Sequence, residues 1–472
     1  MSTEPPAAPV EAPQQRLHPM SWLFEMVSSL RQFVVPLVAL LFFGRSNGYE
    51  WWPLIGVGLL AVASVVHYFT YRYRVEARSL VVRSGLLQRH LREIPFARIQ
   101  NVAVHQTVLH RLFGVAEVRL ESAGGIKPEA QMKVLKLDDA MALEALVRSR
   151  GNAAAAPAGG AAFGEGTPAA SALEPGARTL LELPPGEVLR LGLVSNRGLL
   201  VLGGGFAAMS QFDNQLVGNL MEYWGESLFG FAESHYFDTA DYVLAAATLV
   251  VAFLALMRLL SVLIALLQYF GFSLVEQGRR LTTERGLLSR LRTSVPRRRI
   301  QAWTLEESLV HRLLRRRSLH VDTATGNAQG GEQRGFRDLA PIAMPEACDD
   351  LVRHLLPRAR WPMPDWSPLH GLAWLRLASV GVVLSVVFAA AASTRIGAWG
   401  WLALAWIPWS VFAARRHAGR AGFARDDVLV AWRAGWWSRH WRFAEVDKVQ
   451  ALRLSRSPID RLYGMATLHL DT

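Results

Sequence analysis

Greasy runs alternate with arginine-rich stretches along the whole chain. The apolar runs come in pairs: residues 32–44 with 51–69, 198–211 with 242–270, and 377–393 with 399–413. A helix needs roughly 20 residues to cross a bilayer, so the shorter runs span only by borrowing flanking residues. The pattern predicts six transmembrane helices in three hairpins; the alternative is that the shorter runs are buried core helices. Tryptophans at the run edges (Trp51, Trp52, Trp399, Trp401, Trp406 and Trp409) favour the membrane reading, because they suit an interfacial aromatic belt. Before each pair a proline stands twelve residues ahead of an arginine: Pro19 and Arg31, Pro185 and Arg197, Pro364 and Arg376. The mixed stretches between them are expected to be helices lying in the interface, with each arginine at headgroup level.

The polar stretches carry an internal repeat. Residues 85–122, 286–323 and 435–472 align without a gap. Invariant in all three are Gly85, Gly286 and Gly435; Arg89, Arg290 and Arg439; Gln100, Gln301 and Gln450; Arg111, Arg312 and Arg461; and Leu112, Leu313 and Leu462. Such ungapped similarity marks a triplicated unit. Its pattern is β-type. Residues 80–87 read as strand, glycine turn, strand. Ala116, Val118 and Leu120 alternate with Glu117, Arg119 and Glu121, and Ala466, Leu468 and Leu470 repeat that register, so one face is buried and one is wet. Residues 138–150 and 345–356 read as closing helices. The third copy stops at Thr472 before that closing segment, from which an incomplete third domain is expected.

The chain is therefore expected to divide into a disordered N-terminus (1–17), a first interfacial helix and hairpin (18–69) and a first soluble domain (70–150). A flexible Ala/Gly/Pro linker (151–178) precedes the second hairpin (179–270) and second domain (271–360). A third hairpin (361–415) and third domain (416–472) complete it. The linker composition cannot bury a core.

Charge orients this arrangement. The chain is 51% hydrophobic yet carries a net charge of +12, a combination that resolves if apolar residues sit in spans and basic ones between them. The turn at 213–241 holds Asp213, Glu222, Glu226, Glu233, Asp238 and Asp241 but no Lys or Arg, while the segments after each hairpin are rich in arginine. By the positive-inside rule both termini and all three soluble domains are expected in the cytoplasm. No basic and apolar leader opens the chain, so no cleaved signal peptide is expected. Cys348 is the lone cysteine, so no internal disulfide can form.

The glycine turn, the run Ile94-Pro95 with Arg98-Ile99-Gln100, the turn His110-Arg-Leu-Phe-Gly114 and the strand ending at Glu121–Gly125 resemble bacterial pleckstrin-homology-like (PH-like) membrane proteins of the YdbS/YdbT type (bPH2). The two-span hairpin before each domain resembles them too. The resemblance implies an α+β unit, a split β-barrel with a C-terminal helix after two transmembrane helices, three times in tandem. It implies no catalytic residues and no cofactor, and a loose link to envelope stress or antimicrobial-peptide tolerance. The second copy departs with Arg315-Arg316-Arg317 in place of Gly114-Val115-Ala116, and the third with Glu445 in place of Pro95 and Pro296.

No metal or nucleotide motif is expected. His105 and His110 lack a third ligand nearby, and Gly203-Gly204-Gly205 lacks a following Gly-Lys-Ser/Thr and reads as a helix-packing site. Arg258, inside the fourth run, is either a functional intramembrane charge or one that snorkels. The residues expected to touch anionic lipid headgroups or a partner protein, such as a second membrane protein of this family, are Arg89, Arg92, Arg98, Arg290, Arg297, Arg298, Arg299, Arg315, Arg316, Arg317, Arg439 and Lys448. The invariant Gly85, Gln100, Arg111, Gly286, Gln301, Arg312, Gly435, Gln450 and Arg461 are expected to be structural. Nucleic acid is not expected as a partner. The favoured function is a non-enzymatic membrane scaffold; a transporter using the hairpins and Arg258 is the alternative.

Overall fold

The computed structural model describes residues 15–16, 18–24, 71–76, 79–85, 90–122, 130–153, 177–212, 239–323, 336–457, 460–461 and 463–472, with scattered positions besides. The first predicted hairpin is for the most part outside the described residues, as are Arg31, Arg89 and linker residues 154–176. The chain forms two compact units. One holds the described residues of 1–185 and 195–296, the other those of 186–194, 297–324 and 336–472.

The first unit opens with a strand before the first hairpin, β1 (Gln15–Arg16), and three after it, β2 (Arg72–Val75), β3 (Ser79–Ser84) and β4 (His90–Pro95), in one antiparallel sheet ordered β1-β2-β3-β4. A 3-10 turn at Phe96–Arg98 leads into β5 (Ile99–Gln106), a short helix α1 (Val108–Leu112), β6 (Val115–Ser122), β7 (Ala130–Lys136) and the closing helix α2 (Leu137–Ala153). Ala116, Val118 and Leu120 of β6 are fully buried as period two predicts. The opposite face is not wet, because Glu117 is buried and Arg119 and Glu121 are half-buried against neighbouring strands, and in the third repeat Ala466, Leu468 and Leu470 are exposed. Ala116, Val118 and Leu120 share one core with Tyr73 and Leu80 from the first sheet and Leu143 and Val147 from α2. This is the expected split barrel with its helical cap.

The unit continues through β8 (Ala177–Glu182). The helix α3 (Pro185–Val194) follows, and beyond Pro185 it belongs to the other unit. Then come α4 (Arg197–Phe212), α5 (Thr239–Tyr269), β9 (Ser273–Gln277), β10 (Arg280–Arg285) and β11 (Arg290–Pro296). β8 pairs with β9 across the intervening helices. A strand thus precedes the hairpin where the sequence pattern indicates linker and interfacial helix. Helix α4 starts tightly against α5: the Gly198 amide donates to Ser261 Oγ at 2.9 Å, and a Cβ on Gly198 would strike the Met257 carbonyl. Among the described residues, nothing closely approaches Gly203, Gly204 or Gly205, where helix packing was expected.

The second unit runs from a 3-10 turn (Arg297–Arg299) through β12 (Ile300–Glu307), α6 (Leu309–Leu313), β13 (Arg317–Thr323), β14 (Asp338–Ala343) and α7 (Pro345–Leu355). It continues with β15 (Ser367–Pro368), α8 (Ala373–Ile396), a 3-10 stretch (Gly397–Ala405) and α9 (Trp406–Arg420). The strands β16 (Gly422–Arg425), β17 (Leu429–Ala434), β18 (Arg439–Glu445), β19 (Ala451–Ser455) and β20 (Thr467–Asp471) close it. The chain reverses at Gly397 (φ +61°), which brings Gly381 of α8 against Ser410 of α9. Cys348 is buried in α7, and burial pushes its thiol up to about 12.

Among the described residues, two helical segments are long and apolar enough to cross a membrane, Val243–Tyr269 and Ala373–Arg420. Helix α4, at 16 residues, is shorter than a span requires.

Strand pairing departs from three self-contained barrels. One seven-stranded sheet is ordered β7-β6-β5-β11-β10-β9-β8, the other β14-β13-β12-β18-β17-β16-β15. Each therefore joins the second half of one repeat to the first half of the next.

Candidate functional site

The joint between repeats occurs twice, once in each unit, with one register. In the first, Arg290 of β11 lies opposite Gln106 of β5 and Arg292 opposite Val104. In the second, Arg439 of β18 lies opposite Glu307 of β12 and Trp441 opposite Leu305. These four pairs occupy the same repeat positions in both seams.

The invariant residues build the seam. Gly286 and Gly435 turn the chain into β11 and β18 at φ +111° and +82°, a region that suits glycine, and a Cβ at either would strike the carbonyl of Ser289 or Ser438. The invariant arginine of the preceding repeat fastens that turn: Arg111 Nη1 donates to the Leu287 carbonyl at 2.9 Å, and Arg312 Nη2 to the Trp437 carbonyl at 3.0 Å. The invariant glutamine sits at a β-bulge. The ladder slips between Ile99 and Asn101 in β5 and between Ile300 and Ala302 in β12, at Gln100 and Gln301. Gln450 precedes β19, and its amide donates to the Asp471 carbonyl at 2.8 Å.

Side-chain chemistry differs between the seams. In the first, His105 and Ser289 are 2.7 Å apart, and Arg292 stands 3.1 Å from Glu284 and 3.4 Å from Glu144 of α2. In the second, Arg439 and Arg317 flank the Glu307 carboxylate at 3.7 and 3.9 Å, and Arg442 meets Asp322 at 2.8 Å. Trp303 and Trp361 stack on Phe443 beneath them.

Each glycine turn abuts an apolar helix. The Gly286 amide donates to the Phe270 carbonyl at 2.9 Å and the Leu287 amide to the Leu267 carbonyl at 3.0 Å, so the turn caps the end of α5. Tyr269 there is held by Arg197 and Arg285, each 4.9 Å from its ring centre, and Arg197 also donates to its hydroxyl at 2.8 Å. In the second unit Trp436 of the turn packs against Trp409 and Phe412 of α9.

The arginines expected to meet lipid divide by this geometry. Arg316 is buried and holds Glu187 of α3 with two hydrogen bonds, at 2.7 and 2.8 Å. Those bonds hold the Glu187 carboxyl below its usual range and lift Arg316. Arg317 bridges Glu307 and Asp349 and lies over the Trp441 ring. Arg297 donates to the Leu355 carbonyl at the end of α7. Lys448 donates to the Arg298 carbonyl at 2.6 Å. Burial lowers Arg299, helped by the charge of Arg298. Arg92, Arg98, Arg290, Arg298 and Arg315 are exposed, and Arg439 is half-buried in its seam.

Two residues weighed as metal ligands have structural work. His110 closes a capping box with Thr107 at the start of α1, and His311 does the same with Ser308. Ser457 and Asp460 exchange the corresponding bonds in the third repeat. His105 faces Ser289 and lies 3.5 Å from Glu117. Arg258 donates to the Ser195 carbonyl and to Asn196 Oδ1, both at 3.1 Å, so it secures the break before α4.

Apolar helices carried by tandem split barrels whose sheets run from one repeat into the next define a membrane protein with repeated PH-like domains. The chain belongs to the family described as Bacterial PH domain, whose signature matches residues 27–151, 231–355 and 372–472. It is similar to the UPF0699 transmembrane protein YdbT of Bacillus subtilis (strain 168), with 20% identity over 355 residues, covering 73% of this chain and 69% of that protein. No solved structure matches it.

Proposed function

We propose that this protein is a non-enzymatic scaffold of the bacterial cytoplasmic membrane. Its PH-like domains lie on the cytoplasmic side, with both termini there, and hold their arginines against anionic lipid headgroups. The observation that carries this reading is the bonding of the Gly286 turn to the last carbonyls of α5. The near end of a sheet joined that directly to a membrane helix lies within a few ångströms of the headgroups. Arg197 and Arg285 flank that junction, Arg290 opens β11 beside the turn, Arg315 follows α6 at the second seam, and Arg290 and Arg315 remain exposed. Arg258 is engaged by Ser195 and Asn196, which favours a scaffold over a transport path through the hairpins.

The test uses the full-length protein in nanodiscs containing phosphatidylcholine alone or with phosphatidylglycerol. Native mass spectrometry should show phosphatidylglycerol retained preferentially. Replacing Arg290 and Arg315 by Gln should weaken retention, at about 1 kcal/mol or roughly fivefold per arginine. Equal retention of both lipids by the unaltered protein would remove the headgroup reading.

A further inference from the structure

We infer that the tip of each seam is an apolar wedge that enters the acyl-chain boundary of the bilayer. This rests on the proposed placement of the seams beside the membrane, and it names the part of the lipid they meet.

The two tips are built alike. In the first unit, α1 presents Leu112 at 75% exposure and Phe113 follows it at 40%, while the neighbouring turn presents Leu288 at 49%. The Arg111 bond to the Leu287 carbonyl fixes that helix beside that turn. In the second unit, Leu313 of α6 is 83% exposed and Trp437 of the turn 56%. The Arg312 bond to the Trp437 carbonyl joins them in the same way. Repeated clusters of large exposed apolar side chains are not expected on a surface that meets only water.

The occupant follows from what the tips adjoin. The first turn is hydrogen-bonded to the end of α5, and the second packs through Trp436 on α9, so both apolar surfaces continue the surface of a membrane helix. Arg111 and Arg312 stand beside the apolar tips, Arg111 exposed and Arg312 half-buried. Leucine and tryptophan at the tip with arginine behind them is the composition of a segment seated at the acyl–headgroup boundary. The drive is apolar burial, so entry does not depend on anionic lipid.

Nitroxide labels on the full-length protein in nanodiscs test this, at Leu112→Cys, Leu313→Cys and Arg98→Cys in a Cys348→Ala background. Arg98 is exposed and precedes β5 at the end away from the Gly286 turn, since Gln106 at the other end faces Arg290, and it serves as the aqueous control. Labels at 112 and 313 should be more accessible to oxygen than to a water-soluble nickel chelate, at least threefold relative to the label at 98. This should hold in phosphatidylcholine as well as in phosphatidylglycerol. Labels that are water-accessible in both lipids, or lipid-accessible only in phosphatidylglycerol, overturn the wedge. Phosphatidylcholine entry without selective retention of phosphatidylglycerol would retain the wedge and remove the headgroup reading alone. A Leu112→Met, Leu313→Met protein checks that substitution at the tips leaves folding intact, by unchanged detergent-solubilised yield and melting temperature.

Discussion

Arg111 donates to the main-chain carbonyl of Leu287, a residue of the next repeat, at 2.9 Å. Arg312 does the same to Trp437 one repeat later, so the repeat-invariant arginine and the repeat-invariant glycine turn are two halves of one joint. Removing either half should loosen the same strands. Arg111→Ala forfeits one charge-assisted bond near the surface, about 1 kcal/mol. Gly286→Ala forces a left-handed turn on a residue with a Cβ, about 2 kcal/mol or more. Amide exchange in β11 should accelerate roughly fivefold in the first and thirtyfold in the second, with β2 and β3 unaffected. Exchange that changes uniformly over the unit would show that the joint is not local.

The ion pair between Glu187 and Arg316 predicts an asymmetric response to mutation. The first repeat has Val115 where the second has Arg316, and its entry segment packs there through Phe24 instead. Arg316→Val in the second repeat should cost about 2 kcal/mol, because it leaves a partly buried Glu187 without its main partner. Adding Glu187→Leu should recover most of that loss, since an apolar pair can replace a salt bridge at little cost. Thermal melts of the unaltered protein, both single variants and the double variant in detergent complete the cycle, and strictly additive losses would contradict it.

Much of this was legible in the residues. Of the six apolar runs, those around 242–270 and 377–413 announced the two described segments long and apolar enough to cross a membrane, the alternation around Val118 announced β6, and recurrence of Gly85 at 286 and 435 announced a turn that needs glycine. The Thr107/His110, Ser308/His311 and Ser457/Asp460 boxes could have been found the same way, because a capping residue and its partner three positions on are a local signal. The continuation of each sheet from one repeat into the next was not legible. Which edge β11 meets is decided by pairing with β5 in the middle of the previous repeat, and no local pattern encodes a partner so distant. The strand Ala177–Glu182 was hidden for a related reason: among the described residues it pairs with β9, beyond three intervening helices, and it adjoins an Ala/Gly/Pro tract. The arginines were visible as charge, but the partner of Arg316 lies 129 residues away.

Arg315 occupies a left-handed turn at φ +52°, where the other two repeats have Gly114 and Gly464 at φ +62° and +67°. A side chain in that region costs about 1 kcal/mol relative to glycine. Arg315→Gly should therefore raise the melting temperature while reducing phosphatidylglycerol retention. Gain of stability with loss of lipid binding would mark Arg315 as a residue kept at the expense of the fold. Gain of stability with unchanged binding would remove Arg315 from the headgroup contact.

Acid should unsettle the second unit through His311. Its ring closes the capping box with Ser308, and its second nitrogen lies 2.9 Å from Ser318 Oγ, whose hydroxyl is already donated to the Pro341 carbonyl. Burial pushes the His311 pKa down to about 4, against the raising influence of Glu306, with His320 adding to the depression. A histidine depressed in the folded state contributes stability that is complete above the unfolded value of about 6.5 and is lost as pH falls toward 4. Glu117 in the first unit behaves otherwise. Burial works against its charge, but His105, Arg119 and Gln131 outweigh burial and hold it at about 2, so its contribution is lost only between about 4.5 and 2. Between pH 6.5 and 4.5, therefore, protection from amide exchange, taken relative to the intrinsic rate at each pH, should fall in α6 and β13 before it does in β6. His311→Asn keeps a polar cap partner and cannot charge, so it should flatten that early response without altering the later one. An unchanged early response in His311→Asn would assign it to another group.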